Sequence, residues 1–323
     1  MQHQLTADSL LTDWRGDART WLWVDLETWP TALLPEPYPP VPIIAVGAGH
    51  PQQMAFDVRV DSYADCEQVA RAITKRPRTA ATITRLLRAS EGLDAGHALT
   101  LESMAFAALQ GGGEHRDWMS TRPMVAPRPP GVLHVCASET GLDLIMDRPV
   151  ARNAIDRAMR DALFDAFTAA ALDDRIATVR LRGTGRCFCV GADLAEFGTT
   201  NDPSLADAIR ARTLPAGPLL RLKSKLEVVV QGACIGAGLE LAAFADRLIA
   251  TPDAWFQLPE AVMGILPGFG GCVSVPRRVG RQRAAWLLLS GRRIDARTAL
   301  AWGLIDAIVD DVAADNGRAD EIG

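Results

Sequence analysis

The sequence has no apolar run that approaches the roughly 20 residues of a membrane-spanning helix. It also lacks a basic start followed by an apolar stretch, so we expect no secretory signal peptide and a cytoplasmic location. Its basic residues are scattered and its net charge is -5. Phosphate binding requires clustered lysine and arginine, so the scattered basic residues and the negative net charge argue against a nucleic-acid partner. The lack of a long apolar run argues against a membrane partner.

Paired cysteine motifs are missing as well. The six cysteines show no CxxC spacing, and most zinc patterns depend on such pairs. Cys187 and Cys189 alternate in a predicted strand and would share one face, but a metal site there would need further ligands nearby. We therefore expect reduced, buried thiols and no metal site.

Two proline clusters, at residues 33–42 and 122–131, divide a chain of ordinary globular composition. Neither cluster suits a helix or a central strand, and the second is interpreted as a boundary. We expect an N-terminal module at residues 1–130 and a main body at 131–309. The remaining residues, 310–323, are acidic and have no core-forming pattern, which predicts a frayed tail.

Strand patterns alternate with helical patterns along the main body, which indicates an α/β fold with crossover connections. The segment 152–172 has apolar residues at helical spacing on one stripe, namely Ile155, Met159, Leu163 and Phe167. In the N-terminal module, strands are predicted at residues 20–26, 42–47 and 55–60, and helical segments at 66–73, 80–90 and 99–110.

Three stretches place a glycine-rich turn beside the start of a strand or helix. They are GRCFCVGADLAEF (185–197), GACIGAGLELAAFAD (232–246) and WFQLPEAVMGILPGFGG (255–271). Such turns let backbone N–H groups point into a cleft instead of into a hydrogen-bond ladder. Two N–H groups that converge on one point form an oxyanion hole, in which one donor typically lowers a reaction barrier by about 3 to 4 kcal/mol.

A pair of carboxylates, Glu240 and Glu260, accompanies these turns. Taken alone, Glu240 is as well explained as a partner of a helix dipole, and Glu260, after a proline, as a helix cap. Together beside an oxyanion hole, however, two acids can hold a water, deprotonate it and protonate the neighbouring carbon. Burial and mutual repulsion would then separate their pKa values, as that division of roles requires.

These motifs, in this order, resemble the crotonase or enoyl-CoA hydratase/isomerase superfamily. The resemblance extends from DRPVARNAID (147–156) through FCVGADLAEF, ACIGAGLELA and FQLPEAVMGILPGFGG to LLLSGRRIDARTALAWGLIDAIV, which ends at Val309. It implies a ββα superhelix core and an acyl substrate held as a coenzyme A thioester, with no separate cofactor. It also implies a homo-oligomer, either a trimer or a hexamer.

Carried over residue by residue, the resemblance makes the backbone N–H groups of Ala192 and Ala237 the oxyanion donors, and Glu240 and Glu260 the catalytic acids. Many members of the superfamily lack one or both glutamates, so their joint presence favours syn addition of water to a 2-enoyl-CoA. Isomerisation, thioester hydrolysis and a non-catalytic acyl-CoA-binding or assembly role remain alternatives. The further substrate-binding residues that the resemblance implies are Ala151, Arg152, Ala154, Gly191, Asp193, Leu194, Gly236, Pro259 and Gly268.

The chain departs from the superfamily pattern at both ends. Members of the superfamily continue for several helices after the position of Val309, whereas residues 61–123 of this chain look like that missing helical segment. Residues 42–60 resemble the stretch around 228–249 without its glycine turn and its glutamate. This pattern predicts that residues 20–123 are a remnant crotonase unit, catalytically dead, whose helices complete the pocket of the main body or of a neighbouring subunit.

An unrelated amphipathic extension is the alternative to a remnant unit. If the remnant interpretation holds, Arg122 at the end of the helices could approach the coenzyme phosphate. Four histidines match no catalytic position of the superfamily and are interpreted as structural or solvated; they are His50, His97, His115 and His134.

Overall fold

A computed structural model describes residue 4 and residues 18–29, 38–48 and 56–310. The predictions for His50, for most of the first proline cluster and for the tail after residue 310 lie outside the described residues. Within them, no helix is both long enough and apolar enough to span a membrane. All six cysteines are free, and Cys136 alone among them is exposed.

The N-terminal strands form a small parallel sheet in which β2 lies between β1 and β3. The strands are β1 (Leu22–Asp25), β2 (Ile43–Val46) and β3 (Val58–Val60). Leu22 lies opposite Ile43, and Ile44 lies opposite Val58. The central strand is buried at every position, as expected for a strand covered on both faces.

Helices follow these strands without further sheet structure before the main body. They are α1 (Tyr63–Lys75), α2 (Pro77–Ser90), α3 (Ala95–Gln110) and α4 (Gly113–Thr121). Ser62 caps α1 by accepting from the Asp65 N–H, and Asp94 caps α3 by accepting from the Gly96 N–H. Pro77 starts α2 at the position where a missing N–H is tolerated. The helical segments predicted from the sequence are therefore present, each longer than its apolar pattern.

The main body contains two sheets. Its strands are β4 (Val132–Ala137), β5 (Gly141–Asp147), β6 (Thr178–Gly183), β7 (Lys225–Val230), β8 (Ala233–Ile235), β9 (Arg247–Ala250), β10 (Trp255–Gln257), β11 (Ile294–Asp295) and β12 (Ala307–Ile308). The larger sheet has the order β12-β9-β7-β6-β5-β4 and is parallel except for the hairpin of β4 and β5. The smaller one has the order β11-β10-β8, so the chain leaves the larger sheet between β7 and β8.

Helices connect and cover these strands, in agreement with the predicted α/β class. They are α5 (Arg157–Leu172), α6 (Pro203–Thr213), α7 (Ala216–Leu219), α8 (Ala237–Ala242), α9 (Gly271–Val279), α10 (Arg281–Ser290) and α11 (Ala296–Trp302). The short helix α8 follows β8 directly after the glycine at position 236, and all of its residues are buried.

Two local predictions were wrong. Helix α5 begins at residue 157 and not at 152, because Arg152 and Asn153 adopt left-handed backbone angles and Asp156 caps the helix instead. The Asn153 side-chain NH2 group donates hydrogen bonds to the carbonyl oxygens of Thr184 and Cys187. Cys187 and Cys189 do not lie in a strand, since the segment makes an isolated bridge from Cys189 to Cys234 and no ladder.

The N-terminal helices pack against the main body of the same chain. One hydrophobic cluster contains Ile73 of α1 and Ile83 of α2 together with Leu287 and Leu288 of α10. Helix α3 packs on α6 and α9, and α4 packs on the turn at residues 260–263. The described N-terminal helices therefore meet the main body of their own chain.

An aspartate makes the same pair of backbone contacts in both halves of the chain. The Asp57 N–H donates to the Ile43 carbonyl at 3.0 Å, and its carboxylate accepts from the Ile43 N–H at 2.8 Å. Asp246 makes the same two contacts with Leu226, at 2.8 and 2.7 Å. Asp306 makes the same pair of contacts with Leu248, at 2.7 and 2.6 Å. The motif is therefore not particular to these two segments, and the interpretation of residues 20–123 as a remnant unit stays a prediction.

Candidate active site

A cavity of about 570 Å³ is lined by both the N-terminal helices and the glycine turns of the main body. Its size falls in the range typical of small-molecule sites, roughly 300 to 1,000 Å³. Its walls come from α3, α4, α5, α6 and α8, from the segment around 190–200 and from residues within 259–269. Carboxylates, glycine turns and apolar side chains therefore meet in one place.

Two glycines with positive φ present the predicted oxyanion donors to this cavity. Gly191 has φ 95° and precedes Ala192, and Gly236 has φ 50° and precedes Ala237. Within the described part of the chain, neither alanine N–H has a hydrogen-bond acceptor. Both residues line the cavity. The backbone around Ala192 is fixed by Ile155, whose N–H donates to the Gly191 carbonyl at 2.9 Å.

Glu240 lies buried in α8, and one of its carboxylate oxygens is fixed by backbone amides. Its Oε2 accepts from the Phe269 N–H at 2.6 Å and from the Gly271 N–H at 2.9 Å. Burial raises the pKa of Glu240 to about 7, against the opposing effect of these amides, which favour the carboxylate. Because its partners belong to another segment and not to its own helix, a contact with the α8 dipole alone does not explain this residue.

Glu260 is the first residue of the turn at residues 260–263, directly after Pro259, and is buried. Its Oε2 has no hydrogen-bond partner among the described residues, so a capping role does not explain it. Burial, and then the charge of Glu240, raise the pKa of Glu260 well above its usual value. Its environment therefore favours the protonated acid, while the amides around Glu240 favour the ionised base.

The cavity brings together most of the residues that the sequence singled out. Besides the two glutamates and the two alanines, these are Gly191, Asp193, Leu194, Gly236, Pro259 and Gly268. Ala151, Arg152 and Ala154 do not line it. They lie behind the first glycine turn, where the Arg152 carbonyl accepts from the Val190 N–H at 3.2 Å.

Side chains of the N-terminal helices also line the cavity, and the sequence did not single them out. They are Phe106, Gln110 and His115. His115 is buried, not solvated: its Nδ1 is 2.8 Å from the Met263 carbonyl oxygen, and its ring stacks on Trp118. Burial lowers the pKa of His115. The helical pattern could indicate that these segments belong at the pocket, but not which side chains face it.

Arg122 lies at the end of α4 and is held by the main body. Its Nη1 donates to the Leu194 carbonyl at 2.6 Å, and its Nη2 donates to the Phe197 carbonyl at 2.9 Å. The guanidinium also lies 5.7 Å from the centre of the Trp118 ring. These contacts engage the side chain within the protein, next to the turn that carries Ala192.

Comparison with known proteins matches most of the main body to one family. The model of the enoyl-CoA hydratase/isomerase family matches residues 138–316. The 2,3-dehydroadipyl-CoA hydratase of Escherichia coli is 36% identical over 184 residues, which are 54% of this chain and 68% of that protein. The carnitinyl-CoA dehydratase of Proteus mirabilis is 33% identical over 178 residues, 55% of this chain and 67% of that protein. A relative from Mycobacterium leprae is 33% identical, and the match covers 64% of that protein.

Solved structures agree with the sequence matches. The enoyl-CoA hydratase of Thermoplasma volcanium is similar with a TM-score of 0.53 and 34% identity, covering 59% of this chain and 76% of that one. DspI of Pseudomonas aeruginosa is similar with a TM-score of 0.53 and 31% identity, covering 58% and 77%. The chain thus matches about two thirds to three quarters of these relatives, and the family match begins at residue 138.

Proposed function

The chain belongs to the enoyl-CoA hydratase/isomerase family, and from that premise we propose that it adds water across the double bond of a 2-enoyl-CoA thioester. The observation that supports this reaction is the buried pair Glu240 and Glu260, which faces the same cavity as the N–H groups of Ala192 and Ala237. An acid and a base beside two free amide donors suit a reaction that develops charge on a thioester carbonyl.

The two amides would bind the thioester carbonyl oxygen. As the nucleophile adds, negative charge grows on this oxygen, and each donor at Ala192 or Ala237 stabilises it by about 3 to 4 kcal/mol. The N-terminus of α8 begins at Ala237, so its partial positive charge lies on the same side. No metal or bound cofactor takes part in this scheme, and coenzyme A enters as part of the substrate.

The two glutamates would divide the proton transfers. Ionised Glu240 takes a proton from water through the oxygen that the amides leave free, while the water oxygen bonds to C3 of the acyl group. Glu260 holds a proton and delivers it to C2. Both additions come from the same side, which gives syn hydration, and a proton then returns from Glu240 to Glu260 to restore the starting state.

Other reactions of the same family remain alternatives at this site. An isomerase would use one glutamate to move a proton between two carbons, and a hydrolase would direct the water to the thioester carbon. A non-catalytic acyl-CoA-binding or assembly subunit is less well supported, because burying two acids is costly and a binder gains nothing from it.

The remaining parts of the proposal concern assembly and location. We propose a homo-oligomer, a trimer or hexamer, that works in the cytoplasm. The edge strand β4 supports self-association, since it leaves the apolar side chains of Val132 and Val135 about half exposed, at 50% and 53%. Sedimentation velocity of the full chain tests it: a single monomeric species at every concentration would contradict it.

Hydration of crotonyl-CoA and of a longer 2-enoyl-CoA, followed by loss of conjugated-enoyl absorbance, tests the reaction. We expect turnover by the natural sequence and its collapse in Glu240→Gln and in Glu260→Gln. Glu139→Gln, which alters an exposed acid outside the cavity, is the matched control and should keep full activity. Binding of the thioester without turnover by the natural sequence would contradict a hydratase.

A further inference from the structure

The first amides of α9 and of the turn before it are shared between two glutamates. Glu240 accepts from Phe269 and Gly271, whereas Glu102 of α3 accepts from Gly270 at 2.7 Å and from Cys272 at 2.7 Å. The four consecutive N–H groups are thus divided alternately between a residue of the proposed reaction and a residue of the N-terminal helices. A movement of either carboxyl group would therefore disturb two amides that are adjacent in sequence to the amides bound by the other carboxyl group.

Glu102 is as buried as Glu240, although it lies outside the stretch that matches the family model. Both of its carboxyl oxygens are used, one for each amide. The charged and titratable groups that act on it are Arg210 of α6, Cys272 of α9 and Glu240 of α8. Glu102 is buried and does not line the cavity, so neither hydration nor contact with a bound molecule explains a carboxyl group at this position.

From this arrangement we propose that Glu102 is a positioning residue that holds Glu240 in its reactive orientation, so that the N-terminal helices take part in catalysis through the turn at residues 268–272. The inference rests on the proposed hydratase function. Glu102 touches neither the substrate nor the water. It acts by fixing the amides of Gly270 and Cys272, and thereby the direction of the Phe269 and Gly271 amides that bind Glu240.

The protonation of Glu102 suits this role. Burial and the charge of Glu240 raise the pKa of Glu102 well above its usual value. The Gly270 and Cys272 amides oppose this rise, as the amides at Glu240 do. The raised pKa favours a neutral Glu102, which holds the turn without placing a second negative charge beside Glu240. Substitution by glutamine consequently changes the hydrogen bonds and leaves the charge unaltered.

The decisive variant is Glu102→Gln, because the glutamine carbonyl can keep one amide bond whereas its NH2 group cannot accept the other. The amides around Glu240 then hold it less well, and since they lower its pKa, that pKa rises. We expect kcat to fall by about 10- to 100-fold with little change in KM. We also expect the acidic limb of the kcat–pH profile to move up by about half a pH unit or more.

Glu114→Gln is the matched control. Glu114 also caps a helix start from a neighbouring helix, accepting from the N–H groups of Arg78 and Thr79 at 2.9 Å each. Glu114→Gln should lower the free energy of unfolding without moving the kcat–pH profile. If Glu102→Gln leaves the acidic limb in its natural place, or moves it to lower pH, Glu102 is only a helix cap and the proposal is overturned. If that variant does not fold, Glu102→Asp, which is one methylene too short to reach both amides, is judged by the same two outcomes.

Hydrogen–deuterium exchange separates failure of this inference from failure of the hydratase proposal. If the natural sequence does not hydrate any enoyl-CoA, exchange of the peptide that contains residues 268–272 becomes the readout. Faster exchange there in Glu102→Gln than in Glu114→Gln supports the hold of Glu102 on the turn. Equal exchange in the two variants overturns it.

Discussion

The guanidinium of Arg122 donates a hydrogen bond to the carbonyl oxygen of Leu194 over 2.6 Å. This contact joins the last N-terminal helix to the turn that follows Ala192, one of the proposed oxyanion donors. A second bond, to the Phe197 carbonyl, fixes the other end of the same turn. The wall of the cavity thus depends on a residue that lies 70 positions before Ala192 in the chain.

Arg122→Met removes both bonds and leaves two carbonyl groups without their charged donor. We expect a loss of about 1 to 3 kcal/mol in the free energy of unfolding and a rise in KM, because the turn that borders the acyl group loosens. Urea denaturation and initial-rate kinetics check these effects. Arg85→Met alters an exposed arginine of α2 and serves as the control; equal KM values for the two variants would contradict the proposed coupling.

Gly236→Ala is expected to abolish turnover by displacing an acid. A Cβ at Gly236 would lie 2.6 Å from Oε1 of Glu260, and φ is 50°. Gly280→Ala is the control, since its φ is 82° but a Cβ there would meet nothing within 4 Å. Both changes should lower stability by roughly 1 to 3 kcal/mol through backbone strain, but kcat should collapse only in Gly236→Ala. Comparable kcat values in the two variants would show that Glu260 is not constrained in this way.

The stability advantage of Glu260→Gln over the natural sequence is expected to grow as pH rises. The pKa of Glu260 is raised in the folded state, so between its unfolded and folded pKa values the unfolded chain releases a proton that the folded chain retains. Stability is therefore present at low pH and lost as pH rises, and glutamine removes that loss. Thermal unfolding at about pH 5 and pH 8 measures the difference. The Tm advantage of Glu260→Gln should grow toward pH 8, and an advantage that shrinks would contradict the raised pKa.

Phe106→Leu is expected to change the preference for acyl length. Phe106 lines the cavity and covers Gly268, where an added Cβ would come within 2.7 Å of its ring. The smaller side chain leaves more room, so the ratio of kcat/KM for a longer 2-enoyl-CoA to that for crotonyl-CoA should rise. Met104→Leu, at an exposed position of the same helix, should leave the ratio unchanged. An unchanged ratio in Phe106→Leu would place the acyl chain elsewhere.

The acids and amide donors could be proposed from the sequence because the patterns that indicate them are local. Gly191 and Gly236 mark turns whose backbone angles suit glycine, and each precedes an alanine whose N–H has no acceptor among the described residues. Glu240 lies four residues after Gly236 in the sequence. The helical stripe through Met159, Leu163 and Phe167 was likewise readable, since all three are fully buried.

Contacts between distant segments could not be read in the same way. Glu102 and Phe106 look like ordinary positions on an amphipathic helix, and their closeness to Gly270 and Gly268 arises only when α3 packs on α9. The start of α5 was misplaced for a related reason: Asn153 is pulled out of the helix by bonds to the Thr184 and Cys187 carbonyls, which lie far along the chain.

The most direct test of the account is a double-variant cycle on crotonyl-CoA hydration, using Glu240→Gln, Glu260→Gln and the two changes combined. If both glutamates act on one water and one proton circuit, the combined variant should be no more than about a few-fold slower in kcat/KM than the slower single variant. If instead the two losses multiply in full, or if the natural sequence itself adds no water to crotonyl-CoA or to the longer thioester, the paired-glutamate mechanism is wrong.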